Sequence, residues 1–256
     1  VTYTIDRNGL RIAPPNSPGE GLECVLFFGG SVTFGEGVND DEAMPYITGV
    51  RSNGKYAVYN FGFHGYGPHQ MLAAIEHDLF GIIKDCVPQY AIYQTFVGHA
   101  GRAAGLRSWD EHGPRYALDP DGNVKLAGHF DDQEVAEANK ENRVVAWVKY
   151  QAWKSLTYRK IFLKRNPEEP RAIGPEDIGL YLGIVNSAKV GLQDRYPGLQ
   201  FHAIMWDDRD AEYLEDVEEG LGSSGIVVHY IDQVLPDFDA KRSQYELSAT
   251  DKHPSK

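Results

Sequence analysis

Three segments of the chain place reactive side chains beside glycine. The first is Phe28-Gly29-Gly30-Ser31-Val32-Thr33-Phe34-Gly35-Glu36-Gly37, where a serine follows a short apolar run and sits among glycines that permit a sharp turn and close approach to the backbone. The second is Asn60-Phe61-Gly62-Phe63-His64-Gly65-Tyr66-Gly67-Pro68, a glycine loop whose backbone N–H groups can face an anion. The third is Thr250-Asp251-Lys252-His253-Pro254-Ser255, which pairs a carboxylate with an imidazole. Together they supply a nucleophile, backbone donors, a base and a residue to orient that base, the set needed for acyl transfer through serine. Each segment alone also fits a plain turn or tail.

These segments require elements to hold them. Cys24–Phe28, Tyr56–Phe61, Tyr90–Tyr93, Phe201–Trp206 and Ile226–Tyr230 are short apolar runs of the kind that form strands buried on both faces. Between them, helical spacing links Met71, Leu72, Ile75, Leu79, Ile82 and Ile83 after Pro68, then Ile178, Tyr181, Leu182, Val185, Ala188 and Leu192, then Ala211, Leu214, Val217 and Leu221. Strands alternating with helices predict a doubly wound α/β fold, with Ser31 at the carboxyl end of the first strand, where such folds bind ligands. The alternation breaks over about 98–175. There, Pro114–Phe130 reads as a hairpin turning at Asp119-Pro120-Asp121-Gly122-Asn123, and about Gln133–Leu163 as a long helix carrying Trp147, Tyr150 and Trp153. The expected organisation is one domain over 1–256 with an insertion at about 103–175.

Composition narrows the class. The 256 residues carry 25 Lys and Arg against 37 Asp and Glu, a net charge of −12, which argues against a nucleic-acid partner needing a basic face. Hydrophobic content of 42% fits a well-cored globular chain, and no run approaches the ~18 apolar residues of a membrane span. Two cysteines exclude a disulfide-dense scaffold. His64, His69, His77 and His99 show no ligand spacing of a metal site, and no HExxH motif occurs. Arg102 and Arg107 read as solvated loop charges, with contact to an anionic or sugar substrate the alternative. The pairs Asp131-Asp132, Glu168-Glu169 and Glu218-Glu219 read as solvated faces.

Over most of its length, the insertion excepted, the sequence resembles the SGNH/GDSL hydrolase family. Gly30–Gly37 resembles the first family block, with Ser31 as nucleophile; Asn60–Gly65 resembles the second, with the Gly65 N–H as an oxyanion donor; Asp251 and His253 resemble the last. The resemblance implies a flavodoxin-like three-layer α/β/α sandwich around a five-stranded parallel sheet. It also implies a serine esterase acting without cofactor or metal on a small-molecule or carbohydrate ester, O-acetyl esters included. An O-acyltransferase, or a non-catalytic carbohydrate-binding or assembly module, fits the same scaffold. An extracytoplasmic (periplasmic or secreted) location is the expectation that goes with it.

The sequence departs from the family pattern in three places. Gly30 stands where the family has Asp, and Asp251 and His253 are one residue apart where the family spaces them by two. The family's Gly-x-Asn-Asp is replaced by Gly98-His99-Ala100-Gly101, so the oxyanion position is either filled by the His99 ring or left vacant at Ala100. Cys24 and Cys86 are expected as two buried thiols. The family's sheet order, which makes their strands neighbours, keeps a bridge open if their Cα atoms lie within ~7 Å.

Overall fold

The computed structural model describes residues 1–14, 22–83, 86–132, 171–206, 211–238, 240–248 and 250–255. The long helix expected near 133–163, with Trp147, Tyr150 and Trp153, lies outside the described residues, as does Glu168-Glu169. Five parallel strands form the central sheet: β1 (Glu23–Phe28), β2 (Tyr56–Asn60), β3 (Val87–Thr95), β6 (Gln200–Met205) and β7 (Val227–Tyr230). Their order is β2-β1-β3-β6-β7, so the chain reverses its direction of travel between β1 and β3. The loops leaving β1 and β3 diverge there and open a crevice, the usual ligand site of such sheets.

Burial on both faces explains the continuous apolar run of β1, whereas β7, at the edge of the sheet, is half-exposed with Val227 in solvent, which corrects the expectation for Ile226–Tyr230. Leu26, Phe28, Ala91, Tyr93, Phe201 and Ala203 face a large core packed by α3 (Pro68–Glu76), α5 (Pro175–Arg195) and α6 (Leu214–Ser223). Val25, Phe27 and Val58 face the other way, toward Met44 on α2 (Met44–Arg51). The expected stripe through Ile83 is not one helix. Asp78 adopts a left-handed conformation (φ 53°), which ends α3 and starts a separate 3₁₀ turn, Leu79–Ile82. The hairpin is β4 (Pro114–Leu118) with β5 (Val124–His129), closed at Asp119, whose carboxylate accepts the N–H groups of Asp121 and Asn123. It leans on the core through buried Tyr116, whose hydroxyl donates to Glu76 Oε2 at 2.6 Å.

Cys24 and Cys86 are joined in a disulfide with Cα atoms 5.7 Å apart, which corrects the expectation of free thiols. Parallel pairing of β1 with β3 sets Glu23 opposite Val87, bringing the two cysteines together at the amino ends of the strands, away from the crevice. The register shifts just after Cys24, where Pro88, lacking an N–H, tolerates an irregular ladder. Among the described residues no helix is long and apolar enough to cross a membrane.

Candidate active site

Ser31 opens the single-turn helix α1 (Ser31–Phe34) that follows β1. The turn after it is clamped from below by Arg11, which is almost fully buried. Its guanidinium donates to the carbonyls of Phe34, Gly35 and Val38 and pairs with Asp40 at 3.0 Å. Asn60 at the end of β2 ties the second loop to the same turn. Its Nδ2 donates to Thr33 O at 3.1 Å, and its Oδ1 accepts from Gly62 N at 3.0 Å.

His253 arrives from the far end of the chain on a small antiparallel ribbon, β8 (Glu246–Ser248) with β9 (Asp251–Pro254). Its Nε2 lies 2.7 Å from Ser31 Oγ, and its Nδ1 lies 2.6 Å from Asp251 Oδ1. The one-residue spacing has a local explanation. Residues i and i+2 of an extended strand share a face, so β9 turns both side chains the same way. Hydrogen bonds from the His253 ring and backbone N–H hold the Asp251 carboxyl below the usual carboxylate range. A carboxylate, an imidazole and a hydroxyl in hydrogen-bonded series can move a proton off the hydroxyl as it attacks an electrophile.

The crevice beside this series is a cavity of about 390 Å³ bounded by Ser31, Gln94, Phe96, Arg102, Trp206 and His253. A second cavity of about 340 Å³, walled by Phe28, Phe61 and Met71, lies behind the glycine loop, and neither Ser31 nor His253 lines it.

The chain is similar to solved esterases. The crystal structure of AlinE4, an SGNH-hydrolase family esterase, is 14% identical with a TM-score of 0.46, covering 93% of this chain and 89% of that one. A catalytic mutant of Axe2, an acetylxylan esterase from Geobacillus stearothermophilus, is 13% identical with a TM-score of 0.44, covering 93% and 90%. LAE5, an alpha/beta hydrolase enzyme from the metagenome of Lake Arreo, Spain, is 12% identical with a TM-score of 0.44, covering 93% and 89%. No protein-family model and no curated protein sequence matches the chain. Likeness at this level says nothing of the reaction, which the site's own geometry must carry.

His99, on α4 (Gly98–Ala103), is almost fully buried, with Nδ1 2.7 Å from the Tyr93 hydroxyl and 3.2 Å from Thr95 Oγ1. Its Nε2 points the other way, 3.5 Å from where a Cβ on Gly30 would sit. Burial, then the nearby Arg102 cation and His69, push its pKa well below the ordinary histidine value, so the ring is neutral at neutral pH. Ala100 packs with no exposed surface in the core beside α5, so its side chain does not face the crevice. Gly65 adopts φ +74°, and a Cβ there would also meet Trp109 Nε1 at 2.8 Å. Its neighbour Tyr66 brings this loop against the nucleophile's turn, with the Tyr66 carbonyl 3.1 Å from the Gly30 Cβ position.

Two residues carry more of the site than their sequence signals indicated. Arg102 is not a solvated loop charge: its Nη1 donates to Tyr66 O at 2.6 Å and its guanidinium lines the cavity beside Ser31. It also packs over Gly30: a Cβ at that position would meet Arg102 Nη1 at 2.6 Å and the Tyr66 carbonyl at 3.1 Å, so a larger residue there would displace the guanidinium. Glu36, five residues after Ser31, brings Oε2 to 3.3 Å from His253 Nε2 and to 2.7 Å from His64 Nδ1. An acidic residue inside the first glycine segment was the only hint of it in the sequence. Among the described residues no group of three or more His, Cys, Asp or Glu side chains is placed to hold a metal ion.

Proposed function

We propose that the protein is a serine-dependent carboxylic ester hydrolase of the SGNH type, with Ser31 as nucleophile, His253 as general base and acid, and Asp251 orienting His253. The observation that carries this reading is the continuous series Asp251 Oδ1–His253 Nδ1 at 2.6 Å and His253 Nε2–Ser31 Oγ at 2.7 Å, built from residues 222 positions apart. Ser31 Oγ attacks the ester carbonyl as its proton passes to His253 Nε2. The imidazolium then gives that proton to the departing alkoxide, leaving an acyl group on Ser31. Water repeats the sequence and releases the acid.

The oxyanion formed in each half-reaction is stabilised by the backbone N–H groups of Ser31 and Gly65 and by the His99 ring. On this reading the Tyr93 hydroxyl donates to His99 Nδ1, 2.7 Å away. The ring proton of His99 then sits on Nε2, the nitrogen turned toward Gly30, where it replaces the amide donor the family uses. The chemistry uses protein groups alone, and the disulfide favours an oxidising compartment.

Hydrolysis of p-nitrophenyl acetate by wild type and Ser31→Ala tests the reading. Ser31→Ala is expected to lose about 10³-fold or more in kcat while its melting temperature is retained. Equal rates for the two folded proteins would refute it.

A further inference from the structure

Glu36 is a carboxylate on the working nitrogen of the base, and nothing in the three-residue series requires it. Its place is fixed from two sides. Its backbone N–H donates to Ser31 O at 2.9 Å, and its Oε2 lies 2.7 Å from His64 Nδ1. The His64 ring is itself seated on Phe34, with centroids 4.3 Å apart. The same Oε2 lies 3.3 Å from His253 Nε2. On the other side of the ring lies Asp251; with Asp251 46% and Glu36 37% exposed, water screens each carboxylate, and the two together support a charge on His253.

We propose that Glu36 is a second carboxylate serving His253: a positioning residue that holds the imidazolium from the Nε2 side while Asp251 holds it from the Nδ1 side. The proposal rests on the ester-hydrolase reading above. Its energetics follow from the two protonation states. While His253 is neutral, Nε2 accepts from Ser31 and has no proton for Glu36. Once the Ser31 proton has moved, the ring is a cation with a carboxylate oxygen already 3.3 Å from Nε2. The attraction therefore grows toward the transition state and lowers the barrier without tightening ground-state binding. His64 keeps the carboxylate turned toward His253 between turnovers.

Glu36→Gln, which removes the charge and keeps the shape, is expected to lower kcat on p-nitrophenyl acetate by about 10- to 100-fold with KM within about twofold. Phenylboronic acid gives a binding readout. Its boron bonds Ser31 Oγ as the Ser31 proton passes to His253, leaving an anionic adduct beside the imidazolium. Its inhibition constant is expected to rise by a comparable factor in Glu36→Gln. Glu36→Asp, which keeps the charge, is expected to recover part of kcat.

An unchanged or raised kcat in Glu36→Gln, or a loss confined to KM, overturns the proposal. If Glu36→Gln does not fold, His64→Phe replaces it: a several-fold lower kcat at constant KM supports the role, and an unchanged kcat overturns it. Ser31→Ala separates the two levels. Full activity in Ser31→Ala defeats the hydrolase reading itself, whereas an inactive Ser31→Ala beside a fully active Glu36→Gln defeats this inference alone.

Discussion

His99 couples the site to the stability of the protein. Unfolded, it takes up a proton near the ordinary histidine value of about 6.5; folded, burial and Arg102 delay protonation to lower pH. Between those two values the unfolded chain holds the extra proton. The contribution of neutral His99 is therefore complete above about pH 6.5 and falls as pH drops, by up to about 1.4 kcal/mol per pH unit. His99→Gln should flatten this acid-side loss in urea-unfolding measurements between pH 4.5 and 7. His202, held down by burial and His229, leaves part of the slope in place. The same variant should lower kcat by about 10²–10³-fold with little change in KM, the mark of a donor used mainly in the transition state. A variant with wild-type slope and wild-type kcat would remove His99 from both roles.

At the scale of elements, the turn carrying Ser31 and Glu36 depends on one buried cation. Arg11 gives hydrogen bonds to three carbonyls of that turn and an ion pair to Asp40. Truncating it leaves the buried Gly35 and Val38 carbonyls short of a donor and removes the cation from Asp40, which keeps only the Thr4 N–H. Arg11→Ala should cost about 3–5 kcal/mol, lowering the melting temperature by roughly 6–20 °C. Arg11→Lys should rescue little, because one ammonium cannot span positions that the planar guanidinium reaches together. Calorimetry decides: a melting temperature for Arg11→Ala within 2 °C of wild type, to order of magnitude, would show that the turn holds itself. The turn of the nucleophile shows a related dependence between elements: the Arg102 guanidinium, from the β3 crossover, lies against Gly30, where a side chain would displace it.

Over the whole molecule, the Cys24–Cys86 bridge closes a loop of 62 residues at the end of the sheet opposite the crevice. By chain-entropy arithmetic a loop of that size is worth about 4 kcal/mol. The double variant Cys24→Ala/Cys86→Ala should therefore melt about 8–16 °C lower by calorimetry while keeping kcat. A melting temperature unchanged from wild type would mean that the bridge stabilises nothing. The division of labour is spatial: amino ends of the strands hold the sheet together, and carboxyl ends carry Ser31, Gly65 and His99.

The sequence by itself determined where the strands lie, because a short apolar run bounded by turn residues is a local pattern, though not that β7 would be a half-exposed edge. It also determined Ser31 as the candidate nucleophile, because glycine around a strand-end serine is readable without partners. Asp251 and His253 were legible as residue types, but their geometry was not, since one-residue spacing works only once β9 is extended. Tertiary structure alone decided three further matters. It joined the cysteines, because pairing of β1 with β3 is a long-range event. It drew Arg102 into the crevice, buried His99 with Nε2 toward Gly30 and turned Ala100 into the core, because the face a short helix presents is set by what packs against it. It also brought Glu36 to His253, a contact between residues 217 positions apart that depends on where the terminal ribbon docks. Periodicity and motif spacing report on neighbours along the chain, whereas proximity across the crevice follows from how the sheet and its loops close on one another.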